Sequence, residues 1–338
     1  MSLYLYGIIE QTKTVDFGPI GFKGGSVFSL PAGEIAALVG PPPAEIFSKL
    51  GKELLIAFLL AHQQTLETIM KRFFVLPFKF GTTLKDESEV AKILEEGRRL
   101  LADTMSCVKD HTEIDVIATW DVQKNLREIA GEDPEIAACK KETAHGSPDR
   151  AFVGMLLANA LKQRADKWRG EITRALSDQC IASASHDLLN DAMVLNSSFL
   201  VPHQAEKNFM TGLEKMDAHF QGKLTFKCVG PLPPYSFATV TIRRFDPEEI
   251  QRSARILGLN GRAELAFVKK VYKELSRMCH PDTHPDVSPL KFDELNRAYD
   301  LIFDYCKDKP RSLSREAVEQ FVRLEIEPHL EGVIPHAA

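Results

Sequence analysis

Val27-Phe28-Ser29-Leu30-Pro31-Ala32-Gly33-Glu34-Ile35-Ala36-Ala37-Leu38-Val39 sets two short apolar runs on either side of Pro31-Ala32-Gly33. A brief Pro- and Gly-bearing connection between such runs predicts a β-hairpin. Upstream, Leu3 to Ile9 is rich in aromatic and β-branched residues and reads as another strand, after which Gly18, Pro19, Gly21, Gly24 and Gly25 form a loop. Downstream, Pro41-Pro42-Pro43 ends the unit. Leu55, Leu59, Leu66, Ile69 and Phe73 then recur at helical spacing, so 53–73 reads as an amphipathic or largely buried helix. Val75 to Phe80 is a short apolar strand, Thr82 to Glu87 a polar turn leading into a helix to about Met105, and Glu113 to Thr119 alternates as a strand. Strands interspersed with helices packed to one side define an α+β class.

Farther along, 125–189 carries no convincing strand and is rich in helix formers, most clearly over 150–174. Met193 to Val201, Gln204 to Phe220, Leu224 to Val229 and Phe237 to Ile242 read strand, helix, strand, strand, a small sheet covered by helices. Beyond Arg244 the pattern is almost wholly helical until Pro328, with a loose tail from Gly332. The expected organisation is a mixed module over 1–120, a helical connector over 121–190, a second mixed module over 191–244, an all-α domain over 245–310, and a C-terminal helix and tail over 311–338.

The 338 residues carry 42 Lys and Arg against 47 Asp and Glu, a formal charge of -5, which gives no global attraction to a polyanion and argues against nucleic acid as a partner. With 44% hydrophobic and 26% charged residues the composition is that of an ordinary soluble protein. The longest apolar run, Leu54 to Ala61, falls short of the roughly 18 to 20 residues of a membrane span. The start, Met1-Ser2-Leu3-Tyr4, has no basic n-region or cleavage site, so it is expected to stay in the mature, cytoplasmic protein.

Candidates for chemistry are few. Cys107, Cys139, Cys180, Cys228, Cys279 and Cys306 form no CxxC pair and read as buried free thiols. Ser185-His186-Asp187 has the residue types of a hydrolase triad, but adjacent side chains diverge, whereas a working triad is assembled from separated positions. Gly18, Gly21, Gly24 and Gly25 precede a strand and lack a following GKS or GKT, so a turn is the better reading than a phosphate loop. Cys107 and His111 stand one helical turn apart without further ligands. An enzyme would need a clustered polar pocket that the sequence does not display, and no cofactor or metal is expected.

Cys279-His280-Pro281-Asp282-Thr283-His284 is denser in reactive side chains, yet Pro281 favours an extended chain that points them apart, against a metal site. Its flanks say more. Leu265, Val268, Tyr272, Leu275 and Cys279 recur at steps of three and four, as do Phe292, Leu295, Tyr299 and Ile302, predicting two antiparallel helices across a His-Pro-Asp loop. Lys269, Lys273 and Arg277, with Lys270 alongside, form a basic stripe on the first helix, and five basic residues face two acidic ones between Arg262 and Cys279. A hairpin used only for packing is the plainer alternative.

With Leu257-Gly258-Leu259, Val271-Tyr272-Lys273-Glu274-Leu275, His280-Pro281-Asp282 and Lys291-Phe292-Asp293-Glu294-Leu295-Asn296-Arg297-Ala298-Tyr299, the segment from Asp246 to Lys307 resembles a J-domain of the DnaJ co-chaperone family. The resemblance implies that His280, Pro281 and Asp282, with Lys269, Lys270, Lys273 and Arg277, engage a DnaK-class ATPase and stimulate ATP hydrolysis. The rest of the chain resembles the gas vesicle protein GvpF/GvpL family. That resemblance rests on Tyr4-Leu5-Tyr6-Gly7-Ile8, Val75-Leu76-Pro77-Phe78-Lys79-Phe80-Gly81-Thr82, Leu195-Asn196-Ser197-Ser198-Phe199-Leu200-Val201 and Gly230-Pro231-Leu232-Pro233-Pro234-Tyr235-Ser236-Phe237. It implies two α+β modules, the second ferredoxin-like, and a non-enzymatic accessory protein located with the gas vesicle that binds its hydrophobic structural subunit and other gas vesicle proteins. A general J-domain co-chaperone with another client is the alternative expectation.

Overall fold

The computed structural model describes residues 2–43, 51–132, 136, 150–279 and 289–327. The described chain divides after Thr241 into two compact units, the second ending at Glu325.

The first unit is built on two antiparallel sheets. In the first, strands β1 (Leu3–Glu10), β2 (Asp16–Gly18), β3 (Val27–Ala32), β4 (Ile35–Gly40) and β5 (Leu76–Pro77) lie in the order β2-β3-β4-β1-β5, and β6 (Thr83–Leu84) also pairs with β1. The hairpin expected at Pro31-Ala32-Gly33 is present, with Ala32 opposite Ile35 and Phe28 opposite Val39. Every β1 residue from Leu3 to Ile9 is buried. Because successive strand side chains point to opposite faces, such a run needs cover on both. That cover comes from α1 (Lys52–Met70), whose Phe58, Leu66 and Ile69 pack with Tyr4, Tyr6 and Ile9, and from α2 (Glu87–Val108), which packs on β3 and β4. Asp86 caps α2, accepting from the Glu89 N–H at 2.9 Å. The strand expected over 75–80 shortens to β5, and the expected polar turn contains β6.

Gly7 lets β5 close on β1. A Cβ there would lie 2.6 Å from Cγ1 of the fully buried, β-branched Val75 and 3.0 Å from the Leu76 backbone oxygen, neither of which can yield cheaply. Gly7→Ala should therefore lower stability by about 1–3 kcal/mol, read from the urea midpoint. An unchanged midpoint would contradict this packing.

The second sheet runs β10-β7-β9-β8, with β7 (His111–Thr119), β8 (Ala182–Ser185), β9 (Met193–Pro202) and β10 (Thr225–Leu232) all antiparallel to their neighbours. Three sequence expectations are corrected. The strand over 113–119 was expected in the first module but is β7, an inner strand of the second sheet. The 121–190 stretch is more than a connector: α3 (Val122–Glu132) packs on α4 (Arg150–Ser177), α4 supplies Ile172 and Leu176 to the second core, and β8 supplies a strand. The strand expected over 237–242 is β11 (Thr239–Arg244), which pairs outside this sheet with β14 (Val322–Glu327). Ile114, Val116 and Ala118 of β7, Phe199 of β9, and Phe209, Leu213 and Phe220 of α5 (Glu206–Phe220) complete the core, with Trp168 edge-on to Trp120 at 5.4 Å.

The second unit contains α6 (Pro247–Ile256), α7 (Leu265–Cys279), α8 (Pro289–Cys306) and the short α9 (Arg315–Glu319). Asp246 caps α6, its carboxylate accepting from the Glu248 N–H at 2.7 Å, with Pro247 in the first turn. Tyr272 stacks on Tyr299 at 4.0 Å and donates to Asn296 Oδ1, while Lys269 lies over Phe303. Residue numbers rise on α7 as their contacts fall on α8, so the two helices are antiparallel, as the two apolar stripes predict. The wholly helical expectation beyond Arg244 is corrected: β12 (Arg262–Ala263) pairs with β13 (Arg311–Ser312), and Leu313, Val318 and Phe321 join the core formed by Ile250, Val268, Leu295, Ala298 and Ile302.

Candidate functional site

Of the sequence-derived candidates in the second unit, Lys269, Lys270, Lys273 and Arg277 are all exposed on α7. Lys269, Lys273 and Arg277 stand four residues apart and so share one face. Lys269 adds a cation–π contact to Phe303 at 5.4 Å. His280, Pro281 and Asp282 lie outside the described residues.

The dismissed motifs find separate places. Gly18 ends β2 and Gly24 lies in the turn before β3, both at positive φ, so the glycines serve a strand-to-strand connection and not a phosphate cradle. Cys107 is half-buried near the end of α2 and His111 begins β7; burial lowers the His111 pKa. Among the described residues no group of three or more His, Cys, Asp or Glu could hold a metal ion. Cys306 is buried, whereas Cys107, Cys180, Cys228 and Cys279 are only partly so, and Cys139 lies outside the described residues.

His186 does not act with Ser185 and Asp187. Its Nε2 lies 2.7 Å from Ser198 Oγ and 3.3 Å from Ser236 Oγ, joining a polar cluster that the sequence did not reveal. Ser198 donates to Asp115 Oδ1 at 2.5 Å, and Ser236 gives Glu113 both its backbone N–H and its hydroxyl at 2.7 Å each. The cluster fastens the turn between β10 and β11 to the face of the second sheet opposite its helices, linking the Ser198 and Ser236 motifs. Burial pushes the Glu113 carboxyl up to about 8, while the Ser236 hydrogen bonds act downward.

The sign of the resulting pH dependence follows from proton counts. Folded Glu113 keeps its proton up to about pH 8, whereas its unfolded counterpart loses it near 4.5. Its contribution to stability therefore falls between those values and levels off above them. His62, lowered by burial from 6.5 to about 4, works in the opposite sense and offsets Glu113 between pH 4.5 and 6.5. Above pH 6.5 the His62 offset is complete and the Glu113 contribution keeps falling to about pH 8, by about 2 kcal/mol at roughly 1.4 kcal/mol per unit. Glu113→Gln should remove that decline in urea midpoints. The same slope in both proteins would refute the assignment.

On the first sheet, residues distant in sequence converge on a cleft of about 730 Å³. Leu59, His62 and Gln63 of α1, Phe78, Lys79 and Phe80 after β5, Tyr235 of the β10–β11 turn and Thr239 line it. The Gly81 N–H donates to Tyr4 Oη at 3.1 Å, and Tyr4 Oη lies 2.9 Å from His62 Nδ1. Leu54, Ile56, Leu59 and Leu60, between 41% and 53% exposed, leave the first half of α1 apolar toward solvent. This corrects the largely buried reading of that helix. Ile56 and Leu60 stand three residues before Leu59 and Gln63, so the exposed stripe runs out from the cleft. Contiguous exposed apolar surface of this kind marks an interaction site.

The described chain has two parts, an α+β unit with an apolar cleft and a helical unit with a basic helix face. Residues 2–239 match the family model for gas vesicle synthesis protein GvpL/GvpF, and residues 255–309 match that of the DnaJ domain. The chain belongs to the GvpL/GvpF family and carries a C-terminal DnaJ domain. Neither is an enzyme family. Gas vesicle protein F of a Streptomyces species is 27% identical over 244 residues, covering 70% of this chain and 99% of that relative. The crystal structure of GvpF from Anabaena sp. PCC7120 superposes with a TM-score of 0.61 at 22% identity, over 70% of this chain and 97% of that one. Chaperone protein DnaJ 1 of Aquifex aeolicus is 43% identical over 72 residues, 20% of this chain and 19% of that protein. Among the described residues no helix is long and apolar enough to cross a membrane.

Proposed function

We propose that this chain is a non-enzymatic gas vesicle assembly factor of the cytoplasm and the vesicle, which binds the hydrophobic shell subunit through the segment before Asp246 and recruits a DnaK-class ATPase through its J-domain. The observation that carries this reading is the cleft between the Tyr4, Phe78–Phe80 and Tyr235 motifs, continuous with exposed Ile56, Leu59 and Leu60 on α1. A subunit apolar enough to line a gas-filled shell exposes surface that self-associates in water, and an apolar cleft offers that surface a competing partner. Joining the J-domain to the binding unit raises the local concentration of the chaperone at its cargo. His280, Pro281 and Asp282, with Lys269, Lys270, Lys273 and Arg277, are the proposed ATPase contacts; the exposed basic stripe supports a steered encounter with an acidic partner. The second sheet supports a ferredoxin-like reading, since its elements run β-α-β-β-α-β, counting α3 and α4 as one layer, with the first and third strands central.

The test is co-expression of the tagged full chain with the shell subunit. The subunit should co-purify and remain bound at high salt, because an apolar contact is not screened. If it is absent from the purified chain at every salt concentration, the shell-subunit reading fails and a J-domain co-chaperone with another client takes its place.

A further inference from the structure

The last described residue, Glu327, is itself part of the cleft lining and pairs with Lys79 of the same lining at 3.0 Å. It ends β14, which pairs with β11. In β11, Val240 bridges Phe78 and its carbonyl accepts from the Lys79 N–H at 2.8 Å, so the strand pair is tied to the cleft wall. The chain that follows lies outside the described residues, and it leaves from Glu327 at the rim of the cleft. It reads Pro328-His329-Leu330-Glu331-Gly332-Val333-Ile334-Pro335-His336-Ala337-Ala338. Leu330, Val333 and Ile334 place three branched apolar side chains within five residues, beside a single carboxylate and no Lys or Arg.

The cleft suits an occupant of that composition. Lys79 and Glu327 are its charged side chains and neutralise each other, while Leu59, Phe78 and Phe80 give it apolar walls. Length is also sufficient. Seven extended residues from Glu327 to Ile334 reach roughly 23 Å, whereas seven helical residues from Gln63 back to Ile56 cover only about 10 Å. The segment can therefore cross the cleft and lie along the exposed stripe of α1. Attachment at the rim supplies a local concentration on the order of millimolar, so a contact too weak to hold a separate peptide fills the site. We propose that 328–334 is an intramolecular occupant of the cleft, with Leu330, Val333 and Ile334 covering Leu59 and the Ile56–Leu60 stripe, and that any outside ligand must displace it. This goes beyond the shell-subunit reading and holds for any apolar ligand of the cleft.

Two probes of the full chain test it: a photo-crosslinking p-benzoylphenylalanine in place of Val333, and Nile red, an uncharged dye that reports apolar sites. Irradiated at low protein concentration, position 333 should couple within one chain to peptides covering 56–63 or 78–80. The triple variant Leu330→Ser, Val333→Ser, Ile334→Ser should keep the wild-type Tm, because the described cores of the first unit are complete without these residues. It should bind Nile red roughly 3- to 10-fold more tightly, since apparent affinity is reduced by the fraction of chains whose cleft is open. Coupling only to other parts of the chain, coupling only between two chains, or equal dye affinity in the two proteins overturns the proposal. Neither readout uses the shell subunit, so failure here leaves the shell-subunit reading in place, and failure of the subunit to bind leaves this proposal in place.

Discussion

Arg323→Leu is expected to cost the second unit about 3–5 kcal/mol, the range for breaking a buried ion pair on one side. Arg323 is 8% exposed, yet its guanidinium meets Asp304 Oδ1 at 2.9 Å and Asp308 Oδ2 at 3.1 Å, and donates to the Asp304 and Tyr305 carbonyls. It also lies 5.2 Å from the Phe245 ring and 5.6 Å from that of Phe321. Asp304 takes further charge from Arg243 at 2.8 Å and Lys307 at 3.0 Å. Burial acts to raise the Asp304 pKa, but the Lys307 hydrogen bond and the charges of Arg323, Lys307 and Arg243 outweigh it and hold the carboxyl below its usual value. That part of the stability is present above the ordinary carboxylate pKa and is lost as pH falls through the depressed one. Leucine would fill the aliphatic space but leave Asp304 and two carbonyls short of a donor. Hydrogen exchange of the α6, α7 and α8 amides should rise together by orders of magnitude; a change under tenfold would show that β14 is dispensable to this core.

His280→Gln should abolish stimulation of a DnaK-class ATPase while leaving the helical unit folded. In sequence His280 falls between the two apolar stripes, and the described core of the unit is complete without it. The basic stripe of Lys269, Lys273 and Arg277 should bring the partner in. Its contribution should weaken with salt, since exposed charges are screened over about 8 Å at physiological ionic strength. Single-turnover ATP hydrolysis by the cognate chaperone, with wild type and His280→Gln, reads the effect. Equal rates would remove the co-chaperone role and leave the gas vesicle reading untouched, because the two rest on different parts of the chain.

What the sequence made legible was local. The apolar run of β1, the β3–β4 hairpin and the two stripes of α7 and α8 could be read because each is an unbroken periodicity. Partner choice could not. The alternation of β7 shows that Ile114, Val116 and Ala118 share a face, but nothing in it says that the strand pairs with β9. Over 322–327, within the stretch read as helical, the period-two alternation of Val322, Leu324 and Ile326 is the signal for β14. The cleft was hidden for a related reason: His62, Phe80 and Tyr235 lie in three separate segments, and only folding brings their side chains together. Likewise His186 was weighed with its chain neighbours, whereas its partners Ser198 and Ser236 come from other elements.

The central claim is that the apolar face of the first unit holds the shell subunit apart from itself. The measurement is light scattering after the shell subunit is diluted from denaturant, with no addition, with equimolar full chain, or with the Ile56→Asp, Leu60→Asp double variant. Both positions are exposed, so the double variant should keep its fold and Tm while losing the apolar stripe. The wild-type chain should suppress scattering and the double variant should leave most of it. Unchanged scattering with wild type, or equal suppression by the two, would contradict the account.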